Sequence, residues 1–536
     1  MKKFIIALIF VCATNYINAQ EIPVVIVPTA KYHQELMDIL NRKSGDNIIG
    51  KKITLTKSMS DLEWHHSIKD AYHILKVNIK CDPGFGLIVY FDQLELPTGS
   101  SIRAFSYNHT TRVFYSNDNK HTRSFALPLI NSNELTLEAR IPLDNIDQFT
   151  ANVSEIGCIP LSSKGTHGFG DTEPCFVNVN CPDGEPWSKQ KRAVVRYTYT
   201  EDGEIGNCTG TLVNNTAQDD RNFFLTAQHC AMGASVDELG QAIFYFNYES
   251  PNCDNPPNDD GLLDETVVGC TRIAASGDGS DPNGFPDGSD FHLFEINPIP
   301  ASYNIYYAGW NRNDIGNLSG PGSIIQHPLS DIKKISFVSK FIPSITGSDM
   351  EAVTTTTSGG QGGNVEPNSS GSAMFDNNKL VVGTISYGSV GCVIGETDFG
   401  AGGKFFYHWD QNGTEDNRKL SVWLDPSNTG VMTFEGKNSG NVGIGQLNQY
   451  KSEVIVYPNP ANNTIYLGYV KSEKINKVKV LINNISGVLV LENEIYLNEK
   501  NVLNRIDISN LKPGMYFITI SNLENQFYKS SKFIKL

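Results

Sequence analysis

Short runs in which apolar and polar residues take turns dominate the chain, and they set its fold class before any single residue does. Over residues 20–164, runs such as Gly86-Leu87-Ile88-Val89-Tyr90-Phe91 and Glu134-Leu135-Thr136-Leu137-Glu138-Ala139 are separated by turns such as Pro97-Thr98-Gly99. That rhythm predicts short strands packed as a β-sandwich. Strand-forming segments recur over residues 165–437, as Thr209-Gly210-Thr211-Leu212-Val213, Phe223-Phe224-Leu225-Thr226-Ala227 and Val381-Val382-Gly383-Thr384-Ile385. A polar, glycine-containing stretch around Lys437-Asn438-Ser439-Gly440-Asn441-Val442-Gly443 then predicts a linker over 438–449. Residues 450–536 return to alternation, as in Val478-Lys479-Val480-Leu481-Ile482, and predict a small antiparallel sandwich. The whole chain is therefore expected to be all-β. At 536 residues it exceeds one ordinary core and calls for about three or four units.

The first residues depart from this pattern. Met1-Lys2-Lys3 precedes the apolar run Phe4-Ile5-Ile6-Ala7-Leu8-Ile9-Phe10-Val11, the layout of a signal peptide over residues 1–19 with a cut after Ala19. The run is too short for a stable membrane span and no other segment qualifies, so export without a membrane span is expected. Ten cysteines less Cys12 in the leader leaves nine, in a compartment where disulfides persist.

Charge narrows the partners. The formal net charge is −15, from 58 acidic against 43 basic residues, which favours solubility and argues against nucleic acid. Much of the acid lies in loops rich in Gly, Pro and Asn, from Asp254 to Asp260 and from Asp278 to Asp290. Their spacing does not follow the EF-hand pattern, so solvated loops are the default. Cys and His show neither finger-like spacing nor His-Glu-x-x-His, so no metal and no cofactor is expected.

The chemistry sits in three separated blocks: Thr226-Ala227-Gln228-His229-Cys230, Ser289-Asp290-Phe291 and Ser369-Ser370-Gly371-Ser372-Ala373. A serine hydroxyl is a poor nucleophile until a neighbouring base takes its proton, and imidazole titrates near working pH. A carboxylate would orient the imidazole and stabilise its charged form. Any long chain holds scattered Ser, His and Asp, and a lone Ser-Gly-Ser is usually a turn. Here the flanks argue for catalysis. His229 ends an apolar strand and precedes a cysteine, and Cys208 opens the strand before it.

That neighbourhood resembles the chymotrypsin-like fold, with the segment Val381 to Gly388 resembling the strand that lines its substrate channel. Within that fold the chain resembles the bacterial lysyl endopeptidases. The resemblance rests on Cys208 to Thr216, Phe224 to Cys230, Ala308-Gly309-Trp310-Asn311-Arg312, His327-Pro328, Glu366-Pro367-Asn368-Ser369-Ser370-Gly371-Ser372 and Trp423-Leu424-Asp425-Pro426. It spans roughly residues 170 to 435. It implies a double β-barrel, a catalytic triad of His229, Asp290 and Ser370, and an oxyanion hole from the backbone N–H groups of Asn368 and Ser370. It also implies disulfides Cys175–Cys392, Cys181–Cys253 and Cys208–Cys230. Cys81 and Cys158 are then left to pair with one another, and Cys270 is the odd thiol.

The resemblance also bears on specificity. Six positions before Ser370, where trypsin carries its pocket acid, stands the neutral Asn364. Lysyl endopeptidases supply the acid from a later strand, and Asp398 matches that position, which implies cleavage after a basic residue. Ser386 is expected behind Asp290, with Tyr387 and Gly388 lining the substrate. Ser386 stands where well-studied relatives carry histidine, the stretch from Phe337 to Met350 has no tryptophan, and Asn368 replaces a glycine. Arginine cleavage therefore stays open. Asparagine tolerates an unusual backbone angle better than most residues.

Upstream, residues 20–164 are expected to be a propeptide that assists folding or blocks the cleft, with a substrate-binding module as the rival. Lys164 in Ser163-Lys164-Gly165 offers a cut site the enzyme itself could use. Downstream, Val454-Ile455-Val456-Tyr457-Pro458-Asn459-Pro460, Ile485-Ser486-Gly487 and Leu511-Lys512-Pro513-Gly514-Met515-Tyr516 resemble the C-terminal sorting domain read by the type IX secretion system of Bacteroidetes. That implies an extracellular or cell-surface protein with that machinery as a partner. The expected function is a secreted serine endopeptidase acting on proteins and peptides, monomeric when mature. The alternative is a secreted binding or adhesion protein on a protease scaffold.

Overall fold

A computed structural model of the chain describes residues 22–41, 47–58, 64–107, 110–116, 118, 123–161, 168–259, 261–277, 288–314, 320–343, 347–355, 362–389, 392, 397–439, 454–457, 461–469, 477–484, 488–496, 504–522 and 528–536. The leader, Lys164, most of the linker, Pro458 to Pro460 and Ile485 to Gly487 lie outside the described residues. Two compact units divide the chain, Met1–Gly440 and Asn441–Leu536. Strands dominate both, as the alternation predicts.

The N-terminal region is built from two layers. One sheet runs Val24–Ile26, Tyr72–Lys80, Glu134–Pro142, Ser101–Phe105 and Phe114–Tyr115 in hydrogen-bonded order. The other contains Ile48–Thr54, Glu155–Pro160, Phe85–Phe91 and Phe125–Ile130. Residues alternating inward from both sheets, among them Val77, Ile79, Leu135 and Leu137 against Leu87 and Val89, form one buried cluster. Every residue of Phe85–Phe91 is buried, because its outer face is covered too. Ile205, Ile243, Tyr245, Tyr248 and Val268, all from the middle region, belong to that same cluster.

The boundary expected near residue 164 is therefore no gap in the core. Ile48–Thr54 pairs antiparallel with Glu204–Leu212, placing Lys51 opposite Glu204, Gly50 opposite Ile205 and Ile48 opposite Gly206. One eleven-stranded sheet runs from the N-terminal region into the middle one.

Two curled sheets make up the middle region. In the first, Thr266–Val268, Ile243–Tyr245, Val194–Glu201, Glu204–Leu212, Phe223–Thr226, His292–Ile296 and Cys270–Ala275 pair in succession. Its two end strands meet at Gly269, whose N–H donates to Ala242 O at 2.8 Å and whose carbonyl accepts from Asn297 at 3.1 Å. In the second, Tyr387–Gly388, Thr397–Gly403, Asp349–Thr355, Lys334–Pro343, Gly322–Gln326, Ala373–Phe375 and Val381–Thr384 pair in succession. It closes on itself where the N–H of Ser386 donates to Ala401 O at 2.8 Å and Gly383 bridges Lys404. Each sheet is thus barrel-like.

The C-terminal unit has a three-stranded sheet of Val454–Tyr457, Thr464–Tyr469 and Asn504–Asp507. A four-stranded sheet of Leu489–Tyr496, Lys477–Asn484, Gly514–Asn522 and Tyr528–Lys535 accompanies it. Ile465, Val480, Ile482, Ile506, Ile518 and Phe533 fill the core between them. Among the described residues no helix is long and apolar enough to cross a membrane.

Candidate active site

His229 lies three residues beyond Phe223–Thr226, and Asp290 two residues before His292–Ile296. Those strands pair, with Thr226 opposite His292, so the two loops emerge side by side. Asp290 grips the histidine twice: Oδ2 lies 2.7 Å from His229 Nδ1, and Oδ1 accepts the backbone N–H of His229 at 2.9 Å. Ser386 also helps to lower the pKa of this carboxylate. Burial alone would raise the pKa of Asp290, but the neighbouring imidazole and these hydrogen bonds hold it below the ordinary carboxylate value. Burial likewise pushes His229 down, and the adjacent charge and hydrogen bond of Asp290 overcome it, leaving the imidazole above its ordinary value. With Nδ1 engaged, Nε2 is the nitrogen left to accept a proton.

Ser370 reaches the same place from the second barrel. Its carbonyl accepts the N–H of Thr209 at 2.9 Å, and the next residue, Gly371, donates to Ile385 O at 2.7 Å. Gly371 has φ +82°, and a Cβ there would lie 2.1 Å from Thr226 Oγ1 and 2.7 Å from Ala227 N. Only glycine lets the serine loop press this closely on the histidine strand. Asn368 has φ +70°, the left-handed angle that asparagine was expected to tolerate. Its side chain donates to Asn207 O at 3.0 Å, and its carbonyl accepts from Thr209 Oγ1 at 2.9 Å.

The remaining predicted positions lie nearby. Asp398 is buried on Thr397–Gly403, opposite Thr354, and accepts from Ser389 Oγ at 3.4 Å. Tyr387 is exposed, and Gly388 pairs with Gly400 on the same strand as Asp398. A Cβ on Gly388 would lie 2.9 Å from both Phe399 O and Val365 Cβ. Asn364 is buried, and Gln326 Nε2 donates to its backbone carbonyl at 2.6 Å. The bonds Cys175–Cys392, Cys181–Cys253 and Cys208–Cys230 are all formed.

The expected Cys81–Cys158 bond is not formed. Both cysteines are buried thiols, and a hydrogen bond to Cys81, then burial, pushes Cys158 well above the ordinary thiol value. Cys270 is also a buried thiol, donating to Leu239 O at 3.6 Å and raised by burial. Among the described residues no cluster of three or more His, Cys, Asp or Glu could hold a metal ion.

Two parts of the site carried no sequence signal. Ser289, next to Asp290, lies 2.7 Å by its Oγ from His408 Nδ1, and the other ring nitrogen of His408 lies 3.0 Å from Thr384 Oγ1. Burial drives His408 down to about 3, so a neutral ring braces the aspartate loop. The other is Asn47, from the N-terminal region, whose Oδ1 accepts the N–H of Asn368 at 2.9 Å.

Residues 169–400 match the family described as lysyl endopeptidase, C-terminal domain. This stretch is similar to that family over most of the middle region. Residues 455–535 match the secretion system C-terminal sorting domain, which marks the protein for the cell surface or the extracellular space. A lysyl endopeptidase of Pseudomonas aeruginosa is 26% identical over 223 residues, covering 40% of this chain and 46% of that protein. The chain thus spans about half the length of that curated relative. Similar solved structures include a Glu endopeptidase, 18% identical over 40% of this chain and 85% of its own, with a TM-score of 0.26. Another is the secreted serine protease VesC from Vibrio cholerae, 14% identical over 64% of this chain and 68% of its own, also with a TM-score of 0.26. The family match accounts for most of the middle region and leaves residues 22–161 outside it.

Proposed function

We propose that the protein is a secreted serine endopeptidase that hydrolyses peptide bonds after basic residues, lysine foremost, once exported by the type IX machinery. The observation that carries this reading is the doubly held His229–Asp290 pair beside Ser370, with a buried carboxylate, Asp398, on the strand paired with Tyr387–Gly388. In this mechanism Ser370 Oγ attacks the scissile carbonyl carbon while His229 Nε2 takes its proton. The oxyanion that forms is held by the N–H groups of Asn368 and Ser370, a preorganised pair that strengthens as charge develops. Nε2 then protonates the leaving amine, and water repeats the sequence to release the acid. A lysine or arginine side chain pairs with the buried carboxylate of Asp398, an attraction that a neutral side chain lacks.

Peptide mapping of a denatured protein digest, comparing the processed protein with Ser370→Ala, tests this reading. Cuts after Lys that vanish in the variant are expected, and added cuts after Arg would mean a broader pocket. Equal cleavage by both proteins, or none by either, would overturn it.

A further inference from the structure

We propose that Asn47 holds the uncleaved protein inactive by seating its side-chain carbonyl on the N–H of Asn368, the place a scissile carbonyl oxygen would take; this rests on the endopeptidase reading of Ser370 and Asn368. A carboxamide oxygen is the same kind of acceptor as a peptide carbonyl, and Asn47 Oδ1 sits at hydrogen-bonding distance, 2.9 Å. The amide nitrogen meets the nucleophile: Nδ2 donates to Ser370 Oγ at 3.4 Å and lies 3.3 Å from Cys208 Sγ. One side-chain amide therefore engages the oxyanion donor and the nucleophile at once.

Asn47 is fixed from both sides. Its backbone carbonyl accepts the N–H of Asn207 at 2.9 Å and Asn368 Nδ2 at 3.1 Å. From Gly50 to Lys51 the chain then lies along Glu204 and Ile205 as an added antiparallel strand, the way an extended peptide docks on a sheet edge. That edge leads straight to the nucleophile, since Thr209 on the same strand binds the carbonyl of Ser370. The rest of the N-terminal region anchors the plug through Gln241 Nε2 to Phe91 O at 3.0 Å, Arg112 Nε to Thr266 O at 2.9 Å and Ser124 Oγ to Asp237 at 2.8 Å. Because these contacts hold Asn47 in place beforehand, little ordering cost opposes its binding.

The test is the rate at which a fluorophosphonate labels Ser370 in the uncleaved full-length band, since its phosphoryl oxygen needs the position that Asn47 Oδ1 holds. Asn47→Ala should label at least about tenfold faster than wild type, a change of ~1.4 kcal/mol. Asn47→Asp keeps the acceptor oxygen and should stay as slow as wild type. Equal rates for Asn47→Ala and wild type, with rapid labelling of the processed protein, would overturn the plug and leave the endopeptidase reading standing. Acceleration by Asn47→Asp equal to that of Asn47→Ala would also overturn it, because loosening of the domain would then be the cause. No labelling of the processed protein would remove the endopeptidase reading, and this proposal with it.

Discussion

Replacing Asp290 by asparagine tests the proposed catalytic pair most directly, because the geometry dictates which way the new amide turns. Both carboxylate oxygens accept from nitrogen: Oδ1 from the backbone N–H of His229 and Oδ2 from its Nδ1. An amide has one oxygen and one NH₂, so one of the two contacts must become donor against donor. The backbone N–H cannot shed its proton, whereas the imidazole can move its proton to the other nitrogen. The amide oxygen therefore keeps the backbone contact, its NH₂ faces Nδ1, and the ring carries its proton on Nε2. A ring protonated there cannot accept the proton of Ser370. The expected loss in kcat is about 10⁴-fold, or ~5 kcal/mol of transition-state stabilisation. The charge that holds the imidazole above its ordinary value disappears while its burial stays, so the pKa seen on the acidic limb should fall. A pH profile of kcat/KM on a lysyl peptide amide reads both effects. A loss under tenfold, or a limb that stays in place, would refute the reasoning.

Asp398→Asn should cost roughly 2–5 kcal/mol in kcat/KM for lysyl substrates and change neutral ones little; equal losses on both would remove Asp398 from the pocket. Glu366 is buried beside Glu173, and burial first, then that charge, raises its pKa to about 7. An acid raised on folding binds its proton more tightly in the native state, so stability falls as pH rises from about 4.5 to about 7, by up to ~3 kcal/mol. Glu366→Gln should flatten that slope in denaturant midpoints measured from pH 5 to 8, and an unchanged slope would assign it to other groups. Gly371→Ala forces a Cβ to 2.1 Å from Thr226 Oγ1 at φ +82° and should cost about 3 kcal/mol or more, seen as a lower thermal midpoint; near-native stability would contradict the close packing described.

What was legible in the sequence was what residue type encodes. The His229 and Ser370 blocks stood out because strand signatures lie beside them, and the Asp290 block because it falls between them in the order of the resembled family; the structure brings His229 and Asp290 to 2.7 Å. Asn368 could be read as a left-handed position because few side chains tolerate one. The three disulfides followed from the resemblance rather than from spacing, and the fourth expected pair is two thiols. Asn47 was invisible because two of its partners are backbone N–H groups 160 or more residues away, and a backbone donor leaves no mark on composition. The joining of Ile48–Thr54 to Glu204–Leu212 was hidden for the same reason. Sheet pairing across domains is written in main-chain atoms, which every sequence shares. The His408 brace escaped notice because a buried histidine is usually just packing, and only its contact with Ser289 ties it to the aspartate loop.

The shared core adds one step about maturation. Ile205, Ile243, Tyr245, Tyr248 and Val268 are buried against the N-terminal layers, so departure of residues 20–164 would open an apolar face as well as a strand edge. The proposed cut at Lys164 would break one peptide bond and none of the hydrogen bonds that hold Asn47, Ile48–Thr54 or Phe91 against the middle region. Burying apolar surface contributes about 25 cal/mol per Å², which favours the cleaved N-terminal region staying bound. If residues 20–164 act as the proposed propeptide, activation would need two events, the cut and the release, and the second would limit the rate. Burst labelling of Ser370 should accordingly lag behind junction cleavage followed on the same gel. Labelling that rises in step with the cut would mean that tethering, not the docked surface, keeps Asn47 in place.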